Sequence, residues 1–173
     1  ITHEFDRKDT REIGEEIDFK FNGKLTSKQT KAMKELLNYD IGVLCATTGF
    51  GKTVVASKII SELKTNTLIL VNRTNLLEQW KERLSFFLEI NKKEIGQIGS
   101  GKNKQTKILD IASLQTLYKQ DNIEEILKDY GLVIIDECHH ISAFSFEQVL
   151  KSVRAKYVYG LTATPIRKDG TGA

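Results

Sequence analysis

The segment Gly49-Phe50-Gly51-Lys52-Thr53 sets two glycines, an ammonium and a hydroxyl within five residues. Glycines let backbone N–H groups close on an anion, a lysine at this spacing reaches the β and γ phosphates of a nucleotide, and a threonine hydroxyl ligates magnesium. Thr48 lies in the same loop, which follows an apolar run and opens a helical pattern, as a phosphate-binding loop must. Further along stands Asp136-Glu137-Cys138-His139. A carboxylate at the end of a buried strand can hold magnesium through water, the role expected of Asp136. The adjacent Glu137 can orient and deprotonate an attacking water. Taken alone, Asp-Glu after a strand is a solvated turn; together with the glycine loop it reads as the second half of a hydrolytic site. His139 and His140 suggest a metal pair, but adjacent loop histidines rarely face one ligand, and no third ligand stands at a suitable spacing.

These groups act together only if the fold collects them. Runs suited to buried parallel strands are Ile41 to Ala46, Thr67 to Val71, Lys107 to Ala112, Leu132 to Asp136 and Lys156 to Thr162. Helical patterns lie between them. From Asn75 to Leu88, Leu76, Leu77, Trp80, Leu84, Phe87 and Leu88 fall on one face, with Glu78, Lys81 and Glu82 on the other. Trp80 is expected in the core. Further patterns run through Val55, Ile59 and Leu63, through Ile123, Ile126, Leu127 and Tyr130, and through Phe146, Val149, Leu150 and Val153. This alternation predicts an α/β fold, a mostly parallel sheet with helices on both faces, binding ligands at the carboxyl ends of its strands.

The chain has 173 residues, 40% hydrophobic and 28% charged, enough for one well-buried core and too few for two ordinary domains. A single proline and no low-complexity run leave no internal linker. Residues 1–24 form a charged segment in which Phe19 and Phe21 alternate before Asn22-Gly23, a signal for a type I′ hairpin turn. The domain proper is expected over 25–173. The net charge of +3 suits a nucleic acid without implying one. Cys45 and Cys138 lack CxxC spacing, so neither a disulfide framework nor a zinc site is indicated, and a reducing cytoplasm is expected. No run approaches the roughly 20 apolar residues of a membrane span. Ile1 at the start and Thr171-Gly172-Ala173 at the end suggest a piece of something larger.

The DECH box with His140-Ile141-Ser142-Ala143 and the ending Gly160-Leu161-Thr162-Ala163-Thr164-Pro165-Ile166-Arg167-Lys168-Asp169-Gly170 resemble superfamily 2 DExH helicases. The closest branch is that of XPB-like repair helicases and type III restriction motors. The likeness runs from about Leu25 to Gly170 and includes Ala46 in place of the usual first loop glycine, the superfamily's own variant. It implies a RecA-like P-loop domain that uses ATP and Mg²⁺. It also implies roles for particular residues: His139, Thr162 and Thr164 would couple hydrolysis to domain movement, and Gln29, in Leu25-Thr26-Ser27-Lys28-Gln29, would read the adenine edge. Thr26, Ser27 and Lys28 depart from the family's common residues there.

Three further segments resemble nucleic-acid-contacting motifs. They carry Arg73 and Thr74, Gly101 and Lys102 in a glycine turn, and Ser113 placed to cap a helix. Such groups grip phosphates without reading sequence. Their bland reading is ordinary helix caps and a solvated loop. The resemblance favours DNA over RNA as partner and implies a second RecA-like domain supplying an arginine finger, for which no residues remain after Asp169-Gly170. The fragment alone is therefore expected to hydrolyse ATP slowly. A nucleic-acid-binding module with an idle or regulatory nucleotide site, or an RNA helicase, is the alternative.

Overall fold

The computed structural model describes residue 11 and residues 13–45 and 49–163, with backbone alone at 49 and 50. Seven strands, β1 Ile41–Cys45, β2 Thr67–Val71, β3 Gly96–Gly99, β4 Lys102–Lys104, β5 Leu109–Ser113, β6 Leu132–Ile135 and β7 Tyr157–Thr162, form one sheet in the order β1-β7-β6-β2-β5-β3-β4. Every neighbouring pair is parallel except β3 and β4. The helices are α1 Ser27–Leu36, α2 Gly49–Leu63, α3 Leu77–Leu88, α4 Leu114–Leu117, α5 Ile123–Leu127 and α6 Ala143–Ser152.

The central strands β2, β5 and β6 bury every residue, which is why they read as mostly apolar runs rather than alternating ones, with Thr67, Asp110 and Ser113 the buried polar members. Their side chains still alternate between two cores. Ile69, Val71, Ile111 and Ile134 meet Met33, Ile59, Trp80 and Leu84 from α1 to α3. Leu68, Leu70, Val133 and Ile135 meet Leu117, Leu127 and Val149 from α4 to α6. Because the strands run parallel, the loops after β1, β2, β5, β6 and β7 all emerge at one edge of the sheet, where ligands bind in open α/β folds.

Several elements differ from their sequence reading. The expected hairpin at Asn22-Gly23 does not form. The chain there has no regular structure, Asn22 N donates to Phe87 O at 2.6 Å, and Phe19 and Phe21 pack against the first core. Apolar alternation marked burial against the first core, not strand pairing. The two-residue hairpin lies instead between β3 and β4, where Ser100 and Gly101 have φ of 53° and 80°, the left-handed pair of a type I′ turn. Both short strands went unread because Gly96–Gly99 and Lys102–Lys104 carry little apolar pattern. Lys81, placed on the polar face of its helix, is buried; its stem covers the core edge and its ammonium donates to Gln97 Oε1 at 2.9 Å. The strands expected from Lys107 and from Lys156 begin at Leu109 and Tyr157, and Lys107 adopts a positive φ of 61°.

The described part of residues 1–24 is tied to the same core. Asn66, buried, accepts from Glu15 N at 3.0 Å and Gly131 N at 3.1 Å and donates to the carbonyls of Lys107 and Asp129. One side-chain amide thus closes the amino-terminal ends of several strands, satisfying backbone groups that burial would otherwise strand.

Candidate functional site

The strand that leads to the glycine loop, β1, and the strand that leads to Asp136, β6, are not neighbours: β7 lies between them. The side chain of Lys52 spans that gap. Lys52 sits in the first turns of α2, 6% exposed, and its ammonium lies 3.2 Å from Asp136 Oδ1 and in contact with Glu137 Oε1. Thr53, next on the helix, is buried, as is Asp136. Of the expected phosphate-loop residues, Gly49, Phe50 and Gly51 form the opening of α2, and Thr48 lies outside the described residues.

Asp136 is held from three directions. Besides Lys52, its Oδ1 accepts from Glu137 N at 2.8 Å, and its Oδ2 accepts from the indole Nε1 of Trp80 at 2.7 Å. Sequence periodicity placed Trp80 in the core, and it is 1% exposed; that its one polar atom reaches this carboxylate had no sequence signal. Glu137 adopts a left-handed backbone, φ 51° and ψ 43°, rare for a residue with a side chain. This reverses the chain after β6 into a 3-10 turn, Cys138–His140, closed by His140 N donating to Glu137 O at 2.9 Å. The turn brings both imidazoles back over Glu137, whose Oε2 lies 3.4 Å from His139 Nε2 and from His140 Nε2. Cys138 points the other way, into the second core against Gly160, and burial raises its thiol pKa.

His139 Nδ1 and Thr162 Oγ1 are 2.7 Å apart, so the end of β7, the intervening strand, touches the turn that carries the acidic pair. Loss of solvation, then the neighbouring His140 and Lys52, lowers the His139 pKa below the ordinary imidazole value. Thr164 lies outside the described residues. Gln29 occupies the third position of α1 and makes a reciprocal capping box with Thr26: its backbone N donates to Thr26 Oγ1 at 3.1 Å, and Thr26 N donates to Gln29 Oε1 at 2.9 Å.

The residues expected to grip nucleic acid share the carboxyl edge but differ in access. Arg73 is exposed just before a 3-10 turn, Thr74–Leu76, that Thr74 opens. Gly101 and Lys102 are exposed on the β3–β4 hairpin. Ser113 corrects its reading: it takes the N-cap position of α4 but makes no capping bond, and its hydroxyl is buried without a partner against Gly99. A phosphate contact through this buried hydroxyl therefore requires its surroundings to open.

Residues 22–167 match the family described as type III restriction enzyme, res subunit. The chain belongs to that family. Among curated relatives of this res-subunit-type chain is the DNA 3'-5' translocase XPB2 of Sulfurisphaera tokodaii, 36% identical over 146 residues, covering 84% of this chain and 32% of the relative. L396 of Acanthamoeba polyphaga mimivirus, whose name places it among ATP-dependent RNA helicases, is 36% identical over 135 residues, covering 75% of this chain and 24% of the relative. The chain thus spans about a third or less of these two relatives. The UvsW helicase of bacteriophage T4 shares the fold, with a TM-score of 0.68 at 22% identity over 86% of this chain and 56% of that one. Among the described residues, no helix is long and apolar enough to cross a membrane.

Proposed function

We propose that this chain binds ATP with magnesium and hydrolyses it as one motor domain of a DNA helicase or translocase. The observation that carries the reading is the cluster of Lys52, Asp136 and Glu137 at the carboxyl edge of the sheet, the ammonium bridging both carboxylates.

The donor set suits magnesium, because Thr53 and Asp136 offer a hydroxyl and a carboxylate, hard oxygens beside the N-terminus of a helix of 15 residues. Bound there, magnesium would neutralise phosphate charge. Lys52, close to both acids, is placed to exchange carboxylate contacts for terminal phosphate oxygens. The amides of Gly49, Phe50 and Gly51, with Thr48, would cradle the phosphates, and Gln29 would use its amide on the adenine edge. Glu137 is the base: held by Lys52 through one oxygen, it can accept a proton from an attacking water through the other.

Thr162 touches His139 two residues from the base, so movement of β7's following segment, which carries Thr164, would be felt at the acidic pair. That is the proposed coupling path. A second RecA-like domain would supply an arginine finger, worth ~10³ to 10⁵ in rate, so this domain alone turns over slowly. Arg73, Thr74, Gly101 and Lys102 lie along the edge where a nucleic-acid backbone would pass. DNA is favoured over RNA by the Thr162-to-Gly170 ending and by the named activity of the Sulfurisphaera relative. Two free cysteines suit a reducing cytoplasm.

The test is ATP hydrolysis with and without single-stranded DNA, duplex DNA and RNA. Glu137→Gln is expected to keep nucleotide binding and lose about 10²- to 10⁴-fold in turnover, while Lys52→Ala loses binding. DNA binding with no ATP hydrolysis by the unsubstituted protein would sink the motor reading and favour a nucleic-acid module with an idle site, and hydrolysis unaffected by either substitution would remove Lys52 and Glu137 from the chemistry.

A further inference from the structure

The geometry points to a second metal site on the same turn: Glu137, His139 and His140 together form a three-ligand site for a zinc-type divalent cation, distinct from the magnesium donors Thr53 and Asp136. One ligand atom from each of the three lies within 4.8 Å of the other two. In two of the three pairs, Glu137 Oε2 with each histidine Nε2, the separation is 3.4 Å. Tetrahedral zinc with bonds of about 2.0–2.1 Å places its ligands about 3.3–3.4 Å apart, so these pairs already stand at the required spacing. The remaining histidine pair closes by rotation of His140, which is exposed and able to turn.

Sequence spacing argued against this, since neighbouring histidines on an extended loop diverge. The left-handed backbone of Glu137 and the 3-10 turn after it remove that objection by curling residues 138–140 back over the glutamate and supplying the missing third ligand. The outer partners are in place as well. His139 uses Nδ1 on Thr162 Oγ1 at 2.7 Å, which fixes the ring and leaves Nε2 as the ligand nitrogen, the usual arrangement for a metal-bound histidine. Glu137 Oε1 is engaged by Lys52, which leaves Oε2 for the cation. The rings of His139 and His140 are 4.0 Å apart between centroids, on the same side of the turn.

Two imidazoles and one carboxylate select zinc over magnesium, which prefers all-oxygen surroundings. A water or a phosphate oxygen would complete four-coordination. The consequence for catalysis rests on the proposed hydrolytic role of Glu137: a cation on Oε2 takes the lone pair that would receive the proton from water. Zinc would then silence the motor while magnesium and nucleotide still bind.

Binding and inhibition are tested separately. Co²⁺ added to the nucleotide-free protein should give the strong visible absorption of a tetrahedral nitrogen and oxygen site, at one ion per chain, displaced by Zn²⁺ and unaffected by excess Mg²⁺. His140→Gln, at an exposed position, should weaken binding at least tenfold with an unchanged melting profile, and Glu137→Gln should do the same. In ATP hydrolysis at fixed free Mg²⁺, the zinc concentration for half-inhibition, each protein compared with its own zinc-free rate, should rise at least tenfold in His140→Gln. Absence of the cobalt spectrum, or equal binding by the wild type and both variants, overturns the site. A bound, histidine-dependent metal in a protein that hydrolyses no ATP would keep the site and defeat the motor reading instead.

Discussion

The indole Nε1 of Trp80 donates to Oδ2 of Asp136 at 2.7 Å, joining the first turn of α3 to the proposed magnesium carboxylate. Both groups are buried, and Asp136 Oδ1 faces the other way, toward Lys52. An unpaired carboxylate oxygen inside the protein would be costly, so the indole fixes which oxygen is turned toward the site.

Trp80→Phe should keep the packing of α3 while removing that donor. A hydrogen bond to a charged group contributes about 1.5–3 kcal/mol, so the magnesium concentration for half-maximal hydrolysis is expected to rise about tenfold or more, with nucleotide affinity less affected. Trp80 is the only tryptophan, so its fluorescence should change when Mg-ATP is added to the wild type and not when ATP is added with a chelator. A magnesium titration that superimposes on the wild type would assign Trp80 to packing alone.

Thr162→Val preserves shape and deletes the hydroxyl that meets His139 Nδ1. Stimulation of hydrolysis by DNA should fall about tenfold, more than the unstimulated rate falls. Equal losses in both rates would place Thr162 in the chemical step rather than in coupling.

Tyr130 is buried with its phenol donating to Asp110 Oδ2 and with Lys107 Nζ 5.0 Å over its ring. Burial, and then the Asp110 charge, raise its pKa above the ordinary 10. The folded chain therefore keeps this proton where the unfolded chain releases it. Its contribution is complete below pH 10 and declines as pH rises beyond that. Tyr130→Phe should cost about 1.5–3 kcal/mol in urea unfolding near neutral pH and flatten the loss of stability above pH 10. An unchanged alkaline limb would contradict the assignment.

Arg73, after β2, and Lys102, at the start of β4, are exposed at the same sheet edge. If each meets a backbone phosphate, Arg73→Ala and Lys102→Ala should each reduce the slope of log affinity against log salt by about one, with similar losses on unrelated sequences. A slope that stays constant in both variants would move the nucleic-acid path elsewhere.

The strands, the glycine segment that opens α2 and the acidic pair after β6 were legible because each is local: glycines beside a lysine and threonine, carboxylates after an apolar run, and periodicities set by strand and helix geometry. Asn22-Gly23 misled because a turn-forming pair followed two phenylalanines whose alternation came from packing on the first core. The β3–β4 hairpin escaped because an edge hairpin of lysines and glycines needs no hydrophobic pattern. Ser113 was read as a cap because its type fits, yet its burial depends on the hairpin folding over it.

By itself, the sequence determined the residue types able to bind and cleave a phosphate chain, their order, and a parallel sheet to hold them. Tertiary structure alone decided that β7 stands between β1 and β6, so that Lys52 must bridge to the acids and Thr162 can reach His139. It also decided that Trp80 fastens Asp136 and that the left-handed turn at Glu137 gathers two histidines over one glutamate. Periodicity assigns a side chain to a face of its own element. Which atom it meets depends on strand order and chain reversal, set by contacts between residues far apart in sequence.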